Sequence, residues 1–283
     1  VRGRNPDRAK RSLGQNFLVD PNLQRKIADE LEAGPSDVVL EVGPGHGELS
    51  AHLVGTVAHL VLIEKDADLA RELRERWAGE PSVRVIEGDA LDIDLRAVTD
   101  TDRDVRILSN LPYNVTSPLL FAFLAVRPPP LRLVVMVQRE VGERIVARPG
   151  SKTYGALSVG VQAVARAELR FGVGRQVFRP RPAVDSAVLR IDPIPERVAA
   201  VDADRLRRVT RALFNRRRKQ LQRILRTSPE LGRLPEAADW LRQRGIDPRA
   251  RPETLTPEQI VALANQLPPT RDGGVGVGDA GSG

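Results

Sequence analysis

The chain has no cysteine, only three histidines, and aromatic residues amounting to 4% of its 283 positions. Without cysteine there are no disulfides, no thiolate zinc ligands and no cysteine nucleophile. The histidines (His46, His52 and His59) form no metal-spaced cluster with a carboxylate, so no metal is expected. No apolar run reaches the roughly 18 residues needed to span a bilayer. Residues 1–12 are polar and basic, unlike the apolar stretch of a secretory leader. A cytoplasmic protein without membrane partners is therefore expected. What is present is a 41% hydrophobic composition, enough for one large domain and a smaller one.

Charge is unevenly placed. The net charge is +7, yet residues 1–11 carry +4 and residues 194–267 carry +7, against −3 for 12–193 and −1 for 268–283. Excess positive charge confined to flanks fits a polyanionic partner held outside a central catalytic segment. A high-arginine proteome explains the arginine content but not its segregation.

From Val38 to Ile194 short β-rich runs alternate with helical stretches. The expected strands are Val38–Val42, Leu60–Glu64, Val83–Glu87, Val105–Leu108, Leu131–Gln138, Ala167–Val173 and Ala187–Asp192. Helices are expected at Gly47–Leu53, Asp68–Trp77 and Ser117–Ala125. Such alternation predicts a doubly wound α/β sheet, mostly parallel, with one antiparallel strand at an edge because only a loop joins the last two runs. A proline-flanked break at Pro193–Pro195 ends this block. Helical periodicity then covers Asp204–Leu225, Pro235–Arg244 and Thr256–Gln266. The expected organisation is a flexible basic arm (1–11), a catalytic domain (12–193), a small all-α domain (194–267) and a disordered Gly-rich tail (268–283).

Chemistry concentrates at strand ends. Val38–Val42 runs into Gly43-Pro44-Gly45-His46-Gly47, where glycines let backbone approach a ligand closely. Glu48 stands where a dinucleotide fingerprint has its third glycine. Glu64 ends the second strand and can accept from both ribose hydroxyls. Asp89 follows the third, placed to accept from an adenine amino group. Each acid alone is an ordinary strand-end cap; the ordered set points to a nucleoside cofactor. A nicotinamide dehydrogenase fits less well because of the glycine spacing.

The fourth strand ends in Asn110-Leu111-Pro112-Tyr113-Asn114. An amide oxygen and the Leu-Pro carbonyls can accept from an exocyclic amino group, while a tyrosine offers a stacking face. A plain X-Pro turn is the alternative reading of these five residues. The basic run Arg216-Arg217-Arg218-Lys219, expected on a helix, is either a solvated face or a phosphate contact.

Taken together, the motifs resemble those of the KsgA/RsmA-type ribosomal RNA adenine dimethyltransferases. The resemblance runs from Arg11 to about Leu225. It is carried by Gly14–Leu18, EVGPGHG at 41–47, the acid of Leu62-Ile63-Glu64, GDAL at 88–91 and NLPYN at 110–114. VQREVGERIVA at 137–147, SKTYGALSV at 151–159, FRPRPAVDSAV at 178–188 and FNRRRKQLQ at 214–222 complete it. It implies a Rossmann-like class I methyltransferase sheet and S-adenosyl-L-methionine as cofactor. Cofactor contacts are implied at Asn16, Leu18, Gly43, Glu64, Asp89 and Asn110, beside Gly45 of the glycine loop. Asn110, Pro112 and Tyr113 would handle the target adenine, with Phe178 on the face opposite Tyr113. The implied reaction is N6-dimethylation of two adjacent adenines in small-subunit (16S) rRNA, within a partly assembled 30S subunit; a monomer is expected separately, because the sequence has no long apolar surface pattern. An Erm-type large-subunit enzyme and a non-catalytic RNA-binding assembly factor are the competing readings. Family members usually carry lysine where this chain has Ala183, which puts one local RNA contact in doubt.

Overall fold

The structure is a computed structural model that describes residues 15–266 apart from 100 and 102. The expected basic arm and Gly-rich tail lie outside the described residues. The chain divides into two compact units, Val1–Val201 and Asp202–Gly283.

In the first unit β1 (Phe17–Leu18) and α1 (Pro21–Asp29) precede β2 (Val38–Val42), β3 (His59–Glu64), α2 (Ala67–Arg76) and β4 (Val83–Glu87). Then come α3 (Leu95–Thr99), β5 (Val105–Asn110), α4 (Thr116–Ala125), β6 (Arg132–Gln138), α5 (Arg139–Ile145) and α6 (Ala156–Gln162). β7 (Ala165–Val173), β8 (Phe178–Arg179), β9 (Ser186–Pro193) and α7 (Pro195–Ala200) complete it.

Seven strands form one sheet in the order β4-β3-β2-β5-β6-β9-β7, parallel from β4 to β6. β9 is antiparallel to both neighbours and lies one place in from the edge strand β7. β2, β5 and β6 read as nearly continuous apolar runs because helices cover both faces of a parallel sheet. Strand order reverses between β2 and β5, and ligand crevices in such sheets open outside the carboxyl ends at that switch point. The opposite edge is braced by ion pairs of Arg106 with Asp37 and Arg132 with Asp192, each 2.8 Å. A separate two-stranded ribbon pairs β1 with β8.

Local signals set the helix starts. Asp20 and Asp66 cap α1 and α2 by accepting from amides of the first turn, and Pro21 opens α1. The helix expected at Gly47–Leu53 is reduced to a single 3-10 turn at Ser50–His52. Gly47 has φ +83°, and the Ser50 hydroxyl donates to the buried Glu41 carboxyl group at 2.6 Å, so regular helix does not develop.

The units part after Val201, eight residues beyond the break expected at Pro193. α7 stays with the sheet because the Ile194 amide donates to Val164 O, Arg197 donates to Gln162 O and Val198 is buried.

The second unit contains α8 (Ala203–Phe214), α9 (Leu221–Thr227), α10 (Ala237–Arg242) and α11 (Pro257–Gln266). Asp202 caps α8; a reciprocal Thr256–Gln259 pair makes a capping box for α11. α8 and α11 pack together, burying Leu206, Val209, Leu213, Ile260 and Leu263. The single helix expected over Asp204–Leu225 is broken into two. No proline or glycine marks the break. The amides of Leu221 and Gln222 donate instead to Ala250 O and Pro248 O, so α9 starts afresh on a distant loop.

Candidate active site

A cleft opens at the carboxyl ends of β2 to β5, closed on one side by residues 15–18. Asn16, Leu18, Gly43, Gly45, Glu64, Asp89, Asn110, Pro112 and Tyr113 all line it. Nine of the ten residues expected to bind cofactor or target base thus meet in one cavity. Phe178 does not. It pairs with Leu18 across the β1–β8 ribbon and is 1% exposed, packed in the core cluster that holds Val173 and Val188. In this structure the ring lies beneath the strand that carries Leu18 and does not line the cleft.

The glycine loop is shaped for close approach. Gly43 and Gly45 have φ of +70° and +64°, and a Cβ at Gly45 would stand 3.0 Å from the Phe17 ring. Glu64 is buried and accepts from the amides of Gly45 (3.1 Å) and Asp66 (2.8 Å), which fixes its carboxylate under the loop. Burial raises its pKa, opposed by those two amides. Asp89 has both oxygens engaged already, one by Lys65 Nζ at 2.6 Å and one by the Leu91 amide at 3.0 Å. The lysine hydrogen bond lowers the Asp89 pKa and keeps it anionic.

Among the other lining residues, three polar ones have side-chain bonds or burial that were not singled out from the sequence. Glu41 is 1% exposed in β2 and its pKa is pushed up to about 8 by burial, so it carries a proton at neutral pH. A charged residue inside an otherwise apolar strand was the available signal. Lys65 and Gln15, which donates to Asp66 at 3.1 Å, had none.

On the acceptor side the Asn110 amide nitrogen donates to Asn16 O at 3.0 Å. That bond orients the amide, leaving Oδ1 as an acceptor with no donor among the described residues. The neighbouring carbonyls differ. Pro112 O already accepts from the Val115 amide (3.1 Å) and from Thr116 Oγ1 (3.1 Å). Leu111 O takes no hydrogen bond among the described residues. The free backbone acceptor beside Asn110 is therefore Leu111 O, and Pro112 O serves the turn. The Tyr113 hydroxyl lies 2.7 Å from Ser186 Oγ, and burial raises its pKa, so it is a neutral phenol.

A family model described as ribosomal RNA adenine dimethylase matches residues 6–268. The chain belongs to the ribosomal RNA adenine dimethylase family. It is 49% identical to the ribosomal RNA small subunit methyltransferase A of Nitratidesulfovibrio vulgaris over 93% of this chain and 97% of that protein. The Moorella thermoacetica protein of the same name is 42% identical over 91% and 92%. Among solved structures, a dimethyladenosine transferase from Plasmodium falciparum superposes with a TM-score of 0.77 at 26% identity, covering 87% of this chain and 95% of that one. The 23S rRNA methyltransferase ErmE gives 0.65 at 27%, covering 89% and 99%. Membership of this dimethylase family implies a class I methyltransferase sheet and a methyl donor of the S-adenosylmethionine type. No helix among the described residues is long and apolar enough to cross a membrane, and these residues hold no metal-binding cluster of His, Cys, Asp or Glu.

Within the second unit, Arg216, Arg217, Arg218 and Lys219 lie in the turn after α8, not on a helix. They line a small depression with Arg223 and Thr227. Arg216 donates to Ser228 Oγ and pairs with Glu230, and Arg217 pairs with Glu253 at 3.0 Å. Arg218 and Lys219 are exposed without an ion pair among the described residues.

Proposed function

We propose that this dimethylase-family chain transfers methyl groups from S-adenosyl-L-methionine to N6 of two adjacent adenines in small-subunit rRNA. The observation that carries this reading is the oriented Asn110 amide: its nitrogen is spent on Asn16 O, so its oxygen and Leu111 O form a two-acceptor clamp for an –NH2 group. The cofactor cleft fits its ligand. Positive-φ glycines leave backbone room, Glu64 offers acceptors for ribose hydroxyls, and Asp89 borders the adenine end with Gly88 and Ala90. Bound there, S-adenosyl-L-methionine supplies an electrophilic sulfonium methyl group.

Adenine N6 is a weak nucleophile because its lone pair is delocalised into the ring. Donating both N–H groups to Asn110 Oδ1 and Leu111 O draws that nitrogen toward tetrahedral geometry and aims its lone pair. No strong base is needed, since the methylated ammonium loses its proton readily. Tyr113, a neutral phenol, stacks rather than titrates. Alignment in a fixed cleft supplies most of the acceleration. The base reaches the clamp only when unstacked from RNA, a cost that stacking on Tyr113 partly offsets.

RNA is held by the second unit through Arg218 and Lys219, while Arg216 and Arg217 hold the turn in shape. We take the substrate to be a partly assembled 30S subunit, as the family likeness implies, and the protein to be a cytoplasmic monomer, as the sequence pattern leads us to expect. The test is labelled cofactor with separated, unmethylated ribosomal subunits and mapping of the modified adenines. Label in two adjacent small-subunit adenines is expected. Label confined to the large subunit would instead support the activity named for ErmE, and none in either would favour an RNA-binding factor.

A further inference from the structure

We infer that Ser186 is a positioning residue for methyl transfer, holding the Tyr113 ring in the plane in which the acceptor base stacks. The inference rests on the acceptor reading given above. Ser186 is fully buried at the start of β9, paired with Gln138 of β6 and Val173 of β7. Its hydroxyl has one hydrogen-bond partner among the described residues, the Tyr113 hydroxyl at 2.7 Å. Tyr113 itself stands in a turn on the cleft wall, so a ring tethered only by its backbone could rotate about its side-chain bonds. The bond to Ser186 fastens the far end of the ring to the start of β9, between β6 and β7.

The anchor is itself immobilised. Asp185, immediately before Ser186, accepts from the Arg175 amide through its carboxylate (3.0 Å) and from the Arg139 amide through its carbonyl (2.9 Å). The clamp is thus held from two directions: Asn110 through Asn16 on the cofactor side, Tyr113 through Ser186 on the sheet side. A stacking surface must be fixed before the base arrives if it is to align the acceptor nitrogen rather than merely bind it. A buried serine with no other side-chain partner is matched to that task.

The experiment is a double-mutant cycle of S186A, Y113F and the combined variant, assayed on unmethylated small subunits. Each single change is expected to lower kcat about tenfold, with KM for the subunit and affinity for S-adenosylhomocysteine unchanged. The double variant should be no slower than Y113F, because both remove one interaction. The pH profile of kcat should keep its shape, since neither hydroxyl transfers a proton. Additive losses, wild-type kcat in S186A, or a displaced pH profile in Y113F would overturn the inference. Y113F leaves the buried serine in place, so it reports even if S186A folds poorly. If the wild-type protein does not label small subunits at all, the acceptor reading itself fails. If it does and S186A matches it, only the positioning role fails.

Discussion

The two halves of the cleft are built differently. On the cofactor side, apart from Asn16 and Leu18 of the β1 segment, the groups stand at consecutive strand ends: a glycine loop ends β2, Glu64 ends β3 and reaches an amide 19 residues away, and Asp89 follows β4. On the acceptor side the key groups are oriented by partners far along the chain, Asn110 by Asn16 at a separation of 94 and Tyr113 by Ser186 at 73. The cofactor half is a property of consecutive strand ends. The acceptor half exists only once the sheet has closed and the β1 segment has folded over it. Binding a nucleoside needs shape and acceptors; activating an amino group needs direction, and direction comes from the long-range bonds.

The sharpest way to break that contrast is Asn110→Ala. It should lower kcat by about 10³-fold, on the scale of losing a preorganised transition-state contact, while RNA affinity changes little. Turnover within about tenfold of wild type would place amino-group recognition elsewhere. Glu64→Ala acts on the other half and should weaken S-adenosylhomocysteine binding by roughly 10- to 100-fold in calorimetry, as expected for lost hydrogen bonds to ribose. A comparable fall in kcat at saturating cofactor would blur the division between the halves.

Glu41 tests the electrostatics under the glycine loop. Its folded-state pKa of about 8 exceeds the ordinary 4.5, so between those values the folded protein binds the extra proton. Its contribution to stability therefore falls as pH rises through that window. Glu41→Gln should shrink the loss of Tm between pH 6 and pH 8 by roughly 5 °C. An unchanged loss would mean that Glu41 is ionised in the fold.

The smallest effect belongs to the second unit. Replacing Arg218 and Lys219 should reduce the slope of log K against log salt for RNA binding by about 0.7–0.9 per cation. Replacing Arg216 or Arg217 should lower thermal stability instead, because each is bonded to its own unit. The reverse pattern would exchange the two pairs' roles.

Much of this was legible in the residues. Seven strands were placed within two residues of their observed ends, because each is a short β-rich run bounded by loop residues. Nine site positions met as expected, since strand ends in a doubly wound sheet share one edge. The placement of Phe178 was not legible, because nothing in Phe178-Arg179-Pro180 tells a buried ring from a cleft-lining one; its pairing with Leu18 sets its burial. The α8–α9 break was invisible because its cause is two amides bonded to residues 248 and 250.

Periodicity, glycine placement and strand-end chemistry, all short-range, were enough to specify the sheet, its active edge and the cofactor loop. Tertiary structure alone decided which way the Asn110 amide faces and what holds Tyr113. Hydrogen-bond direction depends on partners brought within about 3 Å, and for these groups the partners lie 73 and 94 residues away.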